Sequence, residues 1–102
     1  MRSILHRKED CTCYLCIMLH EDYDKRRDLE EHHVFGGSNR KLSEFYGLKI
    51  YLCHEHHNEQ SCPESIHHNK TIRLMVQAYA QKQFEKRHPD LNFREIFGRS
   101  YT

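Results

Sequence analysis

Tryptophan is absent from this chain of 102 residues, proline occurs only twice and glycine only four times. Hydrophobic residues make up 37% of the sequence, and they form no run long enough for a membrane span or for the apolar centre of a signal peptide. We therefore expect an intracellular, cytoplasmic protein with no membrane partner. We also expect one small domain, residues 1–102, whose thin core needs a further stabilising element.

The balance of charge excludes a strongly basic or strongly acidic protein. Sixteen Lys and Arg residues face fifteen Asp and Glu residues, which leaves a formal net charge of +1 when the histidines are neutral. Such a chain has no strong overall field to attract nucleic acid. Any binding to phosphates would depend on a few local cations, and it would be modest and sensitive to salt.

Cysteine and histidine are the residues that the chain has in excess. Five cysteines cannot all pair with one another, and disulfides are rare inside the cell, so metal binding is the better interpretation. The pairs Cys13-x-x-Cys16 and Cys53-x-x-His56 have the spacing of two zinc knuckles. Together they would complete a closed tetrahedral site, which is typical of structural zinc. Cys11 is an alternative to Cys13, and Cys62 is predicted to be a free thiol.

The hydrophobic pattern predicts a mixture of strands and helices in the first two thirds of the chain. Residues 21–28 carry alternating charges and indicate a solvated loop or a short helix. Beyond them, the pattern predicts a strand over 29–35, a turn over 36–39, a helical turn over 41–46, a strand over 48–52 and a helix from 54 to 58.

The last third of the chain is predicted to be helical. Apolar side chains recur at three- and four-residue steps over residues 72–84, which indicates one amphipathic helix packed on the core. Asn69 or Thr71 can cap its start, and Pro89 ends it. A second short helix is predicted within residues 92–98, because this segment has capping-box spacing at its start and a glycine at its end.

Between residues 11 and 68 the sequence resembles the HNH endonucleases. The features that carry the resemblance are the strand residues Glu31-His32-His33, the half knuckle Cys53-x-x-His56 at the end of the next strand, and His57 immediately after it. The resemblance implies an α+β fold with a ββα-metal (His-Me finger) hairpin and helix, a structural zinc knuckle, and residues 70–102 as a helical extension. The tail 97–101 is similar to that of small HNH proteins of phages and prophages, which implies a phage or prophage protein in a bacterial host.

The resemblance also assigns roles to individual histidines. It implies a metal-dependent endonuclease in which His33 is the general base, while His32 and His57 bind one divalent cation, Mg²⁺, Mn²⁺, Ni²⁺ or Zn²⁺. The third protein ligand is His67 or, alternatively, His68. A neutral imidazole can take a proton from water near pH 7, and the cation stabilises the leaving oxygen. Because adjacent strand residues point to opposite sides, His32 and His33 cannot share one role.

At one position the sequence departs from the family. The middle asparagine of the family name belongs just before the second strand, where this chain has Gly47-Leu48. In the family that asparagine holds the loop and orients the general base through its backbone. We expect Asn39 or a backbone carbonyl to orient His33 instead.

DNA would be held mainly through its phosphates, which requires lysine and arginine side chains. Arg40 and Lys41 in the hairpin loop are the first candidates for DNA binding, followed by Lys49, Lys70 and Arg73. No predicted element reads base edges, so we expect low sequence specificity. A homodimer or a larger phage DNA-processing partner would extend the small interface.

Two other functions fit the same sequence. A non-catalytic zinc-binding module that contacts DNA or protein would need only the knuckle site and would not depend on His33. A nuclease acting on RNA would use the same hydrolytic residues as the DNA endonuclease.

Overall fold

Five helices and two strands make up an α+β architecture, as the sequence pattern predicts. The computed structural model describes all of residues 1–102. In chain order the elements are α1 (Tyr14–His20), β1 (Glu30–His33), α2 (Arg40–Phe45), β2 (Lys49–Leu52), α3 (His54–Asn58), α4 (Lys70–Arg87) and α5 (Phe93–Phe97), with short 3-10 turns at Lys8–Asp10 and Gly37–Asn39. None of the helices combines the length and the apolar character that crossing a membrane requires.

The two strands form an antiparallel hairpin that divides the nearby side chains between two faces. The partners across the hairpin are Glu30 with Leu52, Glu31 with Tyr51, His32 with Ile50, and His33 with Lys49. Side chains alternate along a strand, so Glu30 and His32 share one face while Glu31 and His33 share the other. β1 is shorter than the predicted strand 29–35, and Val34 and Phe35 lie buried in the core beyond its end.

Before α1, the N-terminal segment packs against the hairpin. The backbone N–H of Ile4 donates to the carbonyl of Gly47 at 2.9 Å, and the Ser3 hydroxyl donates to the carbonyl of Lys49. Helix α1 has no counterpart among the elements predicted from the sequence. This seven-residue helix begins at the first knuckle, where the Cys13 sulfur accepts a hydrogen bond from the backbone N–H of Cys16. Residues 21–28, predicted to be a loop or a short helix, contain no helix.

The C-terminal helices have the caps that the sequence predicts. Asn69, not Thr71, caps α4, since its side chain accepts a hydrogen bond from the backbone N–H of Ile72 at 2.9 Å. Asn92 caps α5 in the same way, and Gly98 ends α5 with a φ of +89°. Both predicted helices are therefore confirmed, each bounded by residues whose side chains or backbone freedom suit a helix end.

A small aromatic core lies between the hairpin and the C-terminal helices. Only 24 of the 102 residues are buried, and fifteen of them form the hydrophobic cluster. The rings of Phe93 and Phe97 on α5 stack with their centroids 4.3 Å apart, and Phe35, at 5.3 and 5.1 Å from them, joins α5 to the hairpin. A core of this size contributes little stability for a chain of this length, which agrees with the need for a further stabilising element.

Candidate metal centres

Three cysteines and one histidine from the two predicted knuckles converge at one point. Cys13 and Cys16 lie at the start of α1, and Cys53 and His56 lie at the start of α3. One potential ligand atom from each of these four side chains lies within 4.8 Å of the other three. The structure therefore brings together all four residues that the sequence predicts as ligands of a structural metal.

The distances within this cluster match the edges of a tetrahedron around a metal ion. Nδ1 of His56 lies 3.6 Å from Sγ of Cys13, 3.3 Å from Sγ of Cys16 and 3.5 Å from Sγ of Cys53. The Sγ atoms of Cys16 and Cys53 are 3.9 Å apart. A tetrahedral zinc ion with Zn–S bonds of about 2.3 Å and a Zn–N bond of about 2.0 Å needs edges of about 3.5 Å from N to S and about 3.8 Å from S to S. The four side chains thus fit such an ion.

The thiols of this cluster have unequal acidities. Burial raises the pKa of both Cys16 and Cys53. Burial has the same effect on Cys13, but hydrogen bonds from the backbone of Cys53 and Cys16 and from the His56 side chain outweigh it and lower the pKa of Cys13 overall. Nη2 of Arg26 also donates to Sγ of Cys16 at 3.4 Å. The surroundings therefore favour one thiolate first, and a bound cation would favour the other two.

Neither of the remaining cysteines joins this cluster. Cys11 is exposed and its thiol donates to the carbonyl of Glu9 at 3.6 Å. Cys62 is a free, partly buried thiol. Between the two alternatives left open by the spacing, Cys13 rather than Cys11 lies with the other ligands.

A second cluster consists of His32, His57 and His67. His32 comes from β1, His57 from α3, and His67 from the loop before α4. Their ligand nitrogens lie within 4.8 Å of one another, and the ring centroids are 5.2 Å apart for His32 and His57, 5.1 Å for His32 and His67, and 4.9 Å for His57 and His67. His67 and His68, the two alternatives for the third ligand, are both exposed, but only His67 belongs to this group.

The surroundings of this second cluster favour the neutral form of two of its rings, those of His32 and His67. Burial, together with the smaller effect of the charges of His57 and His67, lowers the pKa of His32 to about 3. Burial also lowers the pKa of His67, again with a contribution from His57. Neutral imidazole is the form that binds metals, so His32 and His67 are available as ligands at neutral pH. Arg73 holds the loop that carries His67, since Nη1 donates to the carbonyl of Ile66 at 3.1 Å.

His33, the predicted general base, lies on the opposite face of the hairpin. Its Nε2 is 2.8 Å from Oε1 of Glu44 on α2 and 3.6 Å from Oε1 of Glu31. Asn39 is turned away from it, because its amide donates to the carbonyl of Phe97 at 2.9 Å. The expectation that Asn39 or a backbone carbonyl orients His33 is therefore wrong. The carboxylate of Glu44 contacts the ring instead, and the structure does not bring His33 together with the other three histidines.

Gly47, where the resemblance would place an asparagine, lies against the N-terminal segment. Gly47 has a φ of +70°, and a Cβ atom at this position would lie 2.4 Å from the backbone oxygen of Arg2. The N-terminal segment thus occupies the space that a side chain at residue 47 would need.

The predicted DNA-binding residues differ in their exposure to solvent and in whether their charges are already paired. Arg40 and Lys41 are exposed on α2, and Lys70 is exposed at the start of α4. Lys49 is buried, and its ammonium group lies 3.1 Å from Glu31 and 3.0 Å from Glu44. Its charge is therefore already compensated, which removes Lys49 from the candidates for phosphate binding.

Sequence reasoning missed three carboxylates that contact histidines. Glu44 contacts His33, as described above. Oε1 of Glu64 lies 3.0 Å from Nε2 of His56, and Oε1 of Glu30 lies 2.7 Å from Nδ1 of His57. These carboxylates are 11, 8 and 27 residues away from their histidines. No local spacing pattern could have identified them, because the fold alone brings each pair together.

Comparisons of this chain with family models, with curated proteins and with solved structures found no match in any of the three. The function proposed for the chain therefore depends on the geometry of the two candidate metal centres themselves.

Proposed function

We propose that this protein is a metal-dependent endonuclease of the HNH type, with a ββα-metal core, that hydrolyses phosphodiester bonds of DNA with low sequence specificity. The observation that carries the proposal is the meeting of His32, His57 and His67 beside an antiparallel hairpin and the helix that follows it. The cluster of Cys13, Cys16, Cys53 and His56 (the Cys3His cluster) lies at the start of that same helix, in the order that the resemblance implies.

The two clusters suit different tasks. The cluster of Cys13, Cys16, Cys53 and His56 offers four ligands and would leave no open position, which is typical of structural zinc. The cluster of three histidines would leave positions for water and for phosphate oxygens. A divalent cation bound there, such as Mg²⁺, Mn²⁺, Ni²⁺ or Zn²⁺, would supply charge stabilisation for the scissile phosphate and its leaving oxygen.

His33 is the proposed general base. The carboxylate of Glu44 can accept the Nε2–H of His33, which leaves Nδ1 as the nitrogen that takes a proton from water. Since His33 lies on the other face of β1 from His32, its role needs a test of its own, separate from that of the metal ligands. The exposed residues Arg40 and Lys41 are proposed to contact phosphates, and a homodimer or a larger partner would extend this small surface.

Plasmid cleavage by the purified protein tests the proposal. We expect supercoiled DNA to be cut when one of the four cations is added, and His57→Ala and His67→Ala to lose cleavage, because each removes a metal ligand. We expect His33→Ala to slow cleavage by about 100-fold or more, the usual contribution of a general base. His68→Ala is the matched control, since His68 neighbours His67 outside the cluster, and this variant should cut like the wild type.

Circular dichroism and the zinc content of each variant would show that the fold is intact. If His33→Ala cuts as fast as the wild type, His33 is not the base, although the metal-dependent nuclease would stand. If no cation supports cleavage and one zinc ion stays bound, the nuclease proposal fails.

A non-catalytic zinc-binding module is the second candidate function. It is favoured by the completeness of the Cys3His cluster together with the separation of His33 from the other three histidines. Cleavage of RNA but not of DNA under the same conditions would instead indicate the ribonuclease.

A further inference from the structure

The neighbouring histidines His56 and His57 each have a carboxylate on one ring nitrogen. Nε2 of His56 lies 3.0 Å from Glu64, while its Nδ1 faces three sulfur atoms at 3.3 to 3.6 Å. In His57 the arrangement is reversed, since Nδ1 lies 2.7 Å from Glu30. The two rings thus present different nitrogens to their carboxylates, although they are consecutive residues of α3.

The carboxylates determine which tautomer each ring can adopt. A neutral imidazole has one N–H group, and an ionised carboxylate can only accept a hydrogen bond. The proton of His56 must then be on Nε2 and the proton of His57 on Nδ1. Each ring keeps one unprotonated nitrogen with a lone pair. In His56 it is Nδ1, which faces the cysteines, and in His57 it is Nε2.

We infer that Glu64 and Glu30 determine through which nitrogen these histidines bind metal, namely Nδ1 for His56 and Nε2 for His57. The inference rests on the two metal centres of the proposed function and adds two positioning residues to them. A carboxylate that accepts the second N–H of a ligand histidine fixes the ring's orientation and makes it a stronger ligand. Each carboxylate serves one centre only.

The two carboxylates come from different parts of the fold. Glu30 begins β1, whereas Glu64 lies in the loop between α3 and α4. Consecutive residues of a helix point about 100° apart, so His56 and His57 project toward different centres. A change in one carboxylate should therefore affect one centre and leave the other unchanged.

Each carboxylate also contacts a second histidine, which provides matched controls. Glu64 lies 2.7 Å from Nε2 of His20, and Glu30 lies 3.2 Å from Nδ1 of His54. Both of these histidines are more than half exposed. Substituting His20 or His54 with alanine removes this outer contact but keeps the contact between the carboxylate and the ligand histidine.

The first experiment is NMR of the full-length, ¹⁵N-labelled protein loaded with zinc. Two-bond nitrogen–proton correlations distinguish the protonated nitrogen of each imidazole from the metal-bound one. We expect His56 to be protonated on Nε2 and His57 on Nδ1. Zinc bound through Nε2 of His56 or through Nδ1 of His57 would overturn the inference even with both centres filled, and this measurement needs no variant to fold.

The second experiment measures cobalt affinity by competition with a chelator under reducing conditions. Absorption from thiolate-to-cobalt charge transfer reports the cysteine centre, which is the Cys3His cluster. The remaining bound cobalt reports the histidine centre, which is the cluster of His32, His57 and His67. We expect Glu64→Ala to weaken the cysteine centre by about 10- to 100-fold and Glu30→Ala to weaken the histidine centre by a similar factor, each without effect on the other centre. Glu64→Gln and Glu30→Gln, which keep an accepting oxygen, should recover part of the loss.

His20→Ala and His54→Ala should bind cobalt like the wild type. Unchanged affinity in both glutamate-to-alanine variants would overturn the inference. If the wild type binds cobalt only at its thiolates, the histidine centre and the assignment of Glu30 fail, while the nuclease proposal is decided by the cleavage assay. The assignment of Glu64 is then judged by the cysteine centre alone.

Discussion

At the scale of single residues, His6 shows what burial does to a histidine outside both metal centres. Its ring lies between those of Tyr14 and Tyr51, with both centroids at 5.6 Å. Its Nδ1 accepts a hydrogen bond from the backbone N–H of Tyr51 at 3.1 Å, which ties the N-terminal segment to β2. Burial lowers the pKa of His6, and the nearby charge of Asp10 offsets this only in part.

The lowered pKa of His6 predicts a loss of stability in mild acid. The unfolded chain takes up the proton near pH 6.5, whereas folded His6 takes it up only at lower pH. The stability contributed by neutral His6 is therefore complete above about pH 6.5 and declines as the pH falls below it. Protonation also removes the acceptor of the Tyr51 N–H, a part-exposed hydrogen bond worth no more than about 1 kcal/mol.

Urea unfolding at pH 7.5 and pH 5.5 measures this effect when the wild type is compared with His6→Gln. We expect the free energy of unfolding of the wild type to fall further between the two pH values than that of the variant. Protonation of metal ligands affects both proteins alike, so the difference between them isolates His6. Equal losses would contradict the prediction.

At the scale of elements, the junction between α2 and β2 depends on the absence of a side chain. Gly47 has a positive φ and accepts a hydrogen bond from the N–H of Ile4. We expect Gly47→Ala to destabilise the protein by about 1–3 kcal/mol, because the left-handed backbone is strained for alanine and because the new Cβ would press on the backbone of Arg2. Thermal unfolding of the purified variant is the measurement.

Gly36→Ala is the matched control for this junction. Gly36 has a φ of −98° and nothing within 4 Å of an added Cβ, so its substitution should leave the melting temperature nearly unchanged. Gly47→Asn should destabilise as well, because its Cβ meets the same oxygen. A Gly47→Ala variant as stable as Gly36→Ala would show that the N-terminal segment moves aside easily.

For the molecule as a whole, the cysteine centre should supply much of the stability that the small core lacks. Since a metal bound only by the folded chain adds its binding free energy to folding, Cys13→Ser should lower the free energy of unfolding by about 4 kcal/mol or more. Cys11→Ser is the control, because Cys11 is exposed and outside the centre. Unfolding curves and zinc content should show the first variant melting early without zinc and the second behaving like the wild type.

Addition of a strong chelator to the wild type should reproduce the effect of Cys13→Ser, and added zinc should reverse it. A Cys13→Ser protein that melts like the wild type would remove the structural role of the centre.

Much of the secondary structure could be predicted because the signals are local. Hydrophobic periodicity and the caps Asn69 and Asn92 lie within single segments, and both C-terminal helices begin where those caps predict. Helix α1 was missed because its seven residues are too few for a periodic pattern, and its cap is a cysteine rather than one of the usual polar residues.

The sequence by itself determined which residues can bind a metal, because Cys13-x-x-Cys16 and Cys53-x-x-His56 place paired ligands within one helical turn. It left open Cys11 against Cys13 and His67 against His68, since candidates one or two residues apart differ mainly in the direction of their side chains. Only the tertiary structure decided between them. It also brought Glu44 into contact with His33, Glu64 with His56 and Glu30 with His57. The physical reason is that these contacts join distant segments, so their geometry exists only once the hairpin, the short helices and the N-terminal segment have packed together.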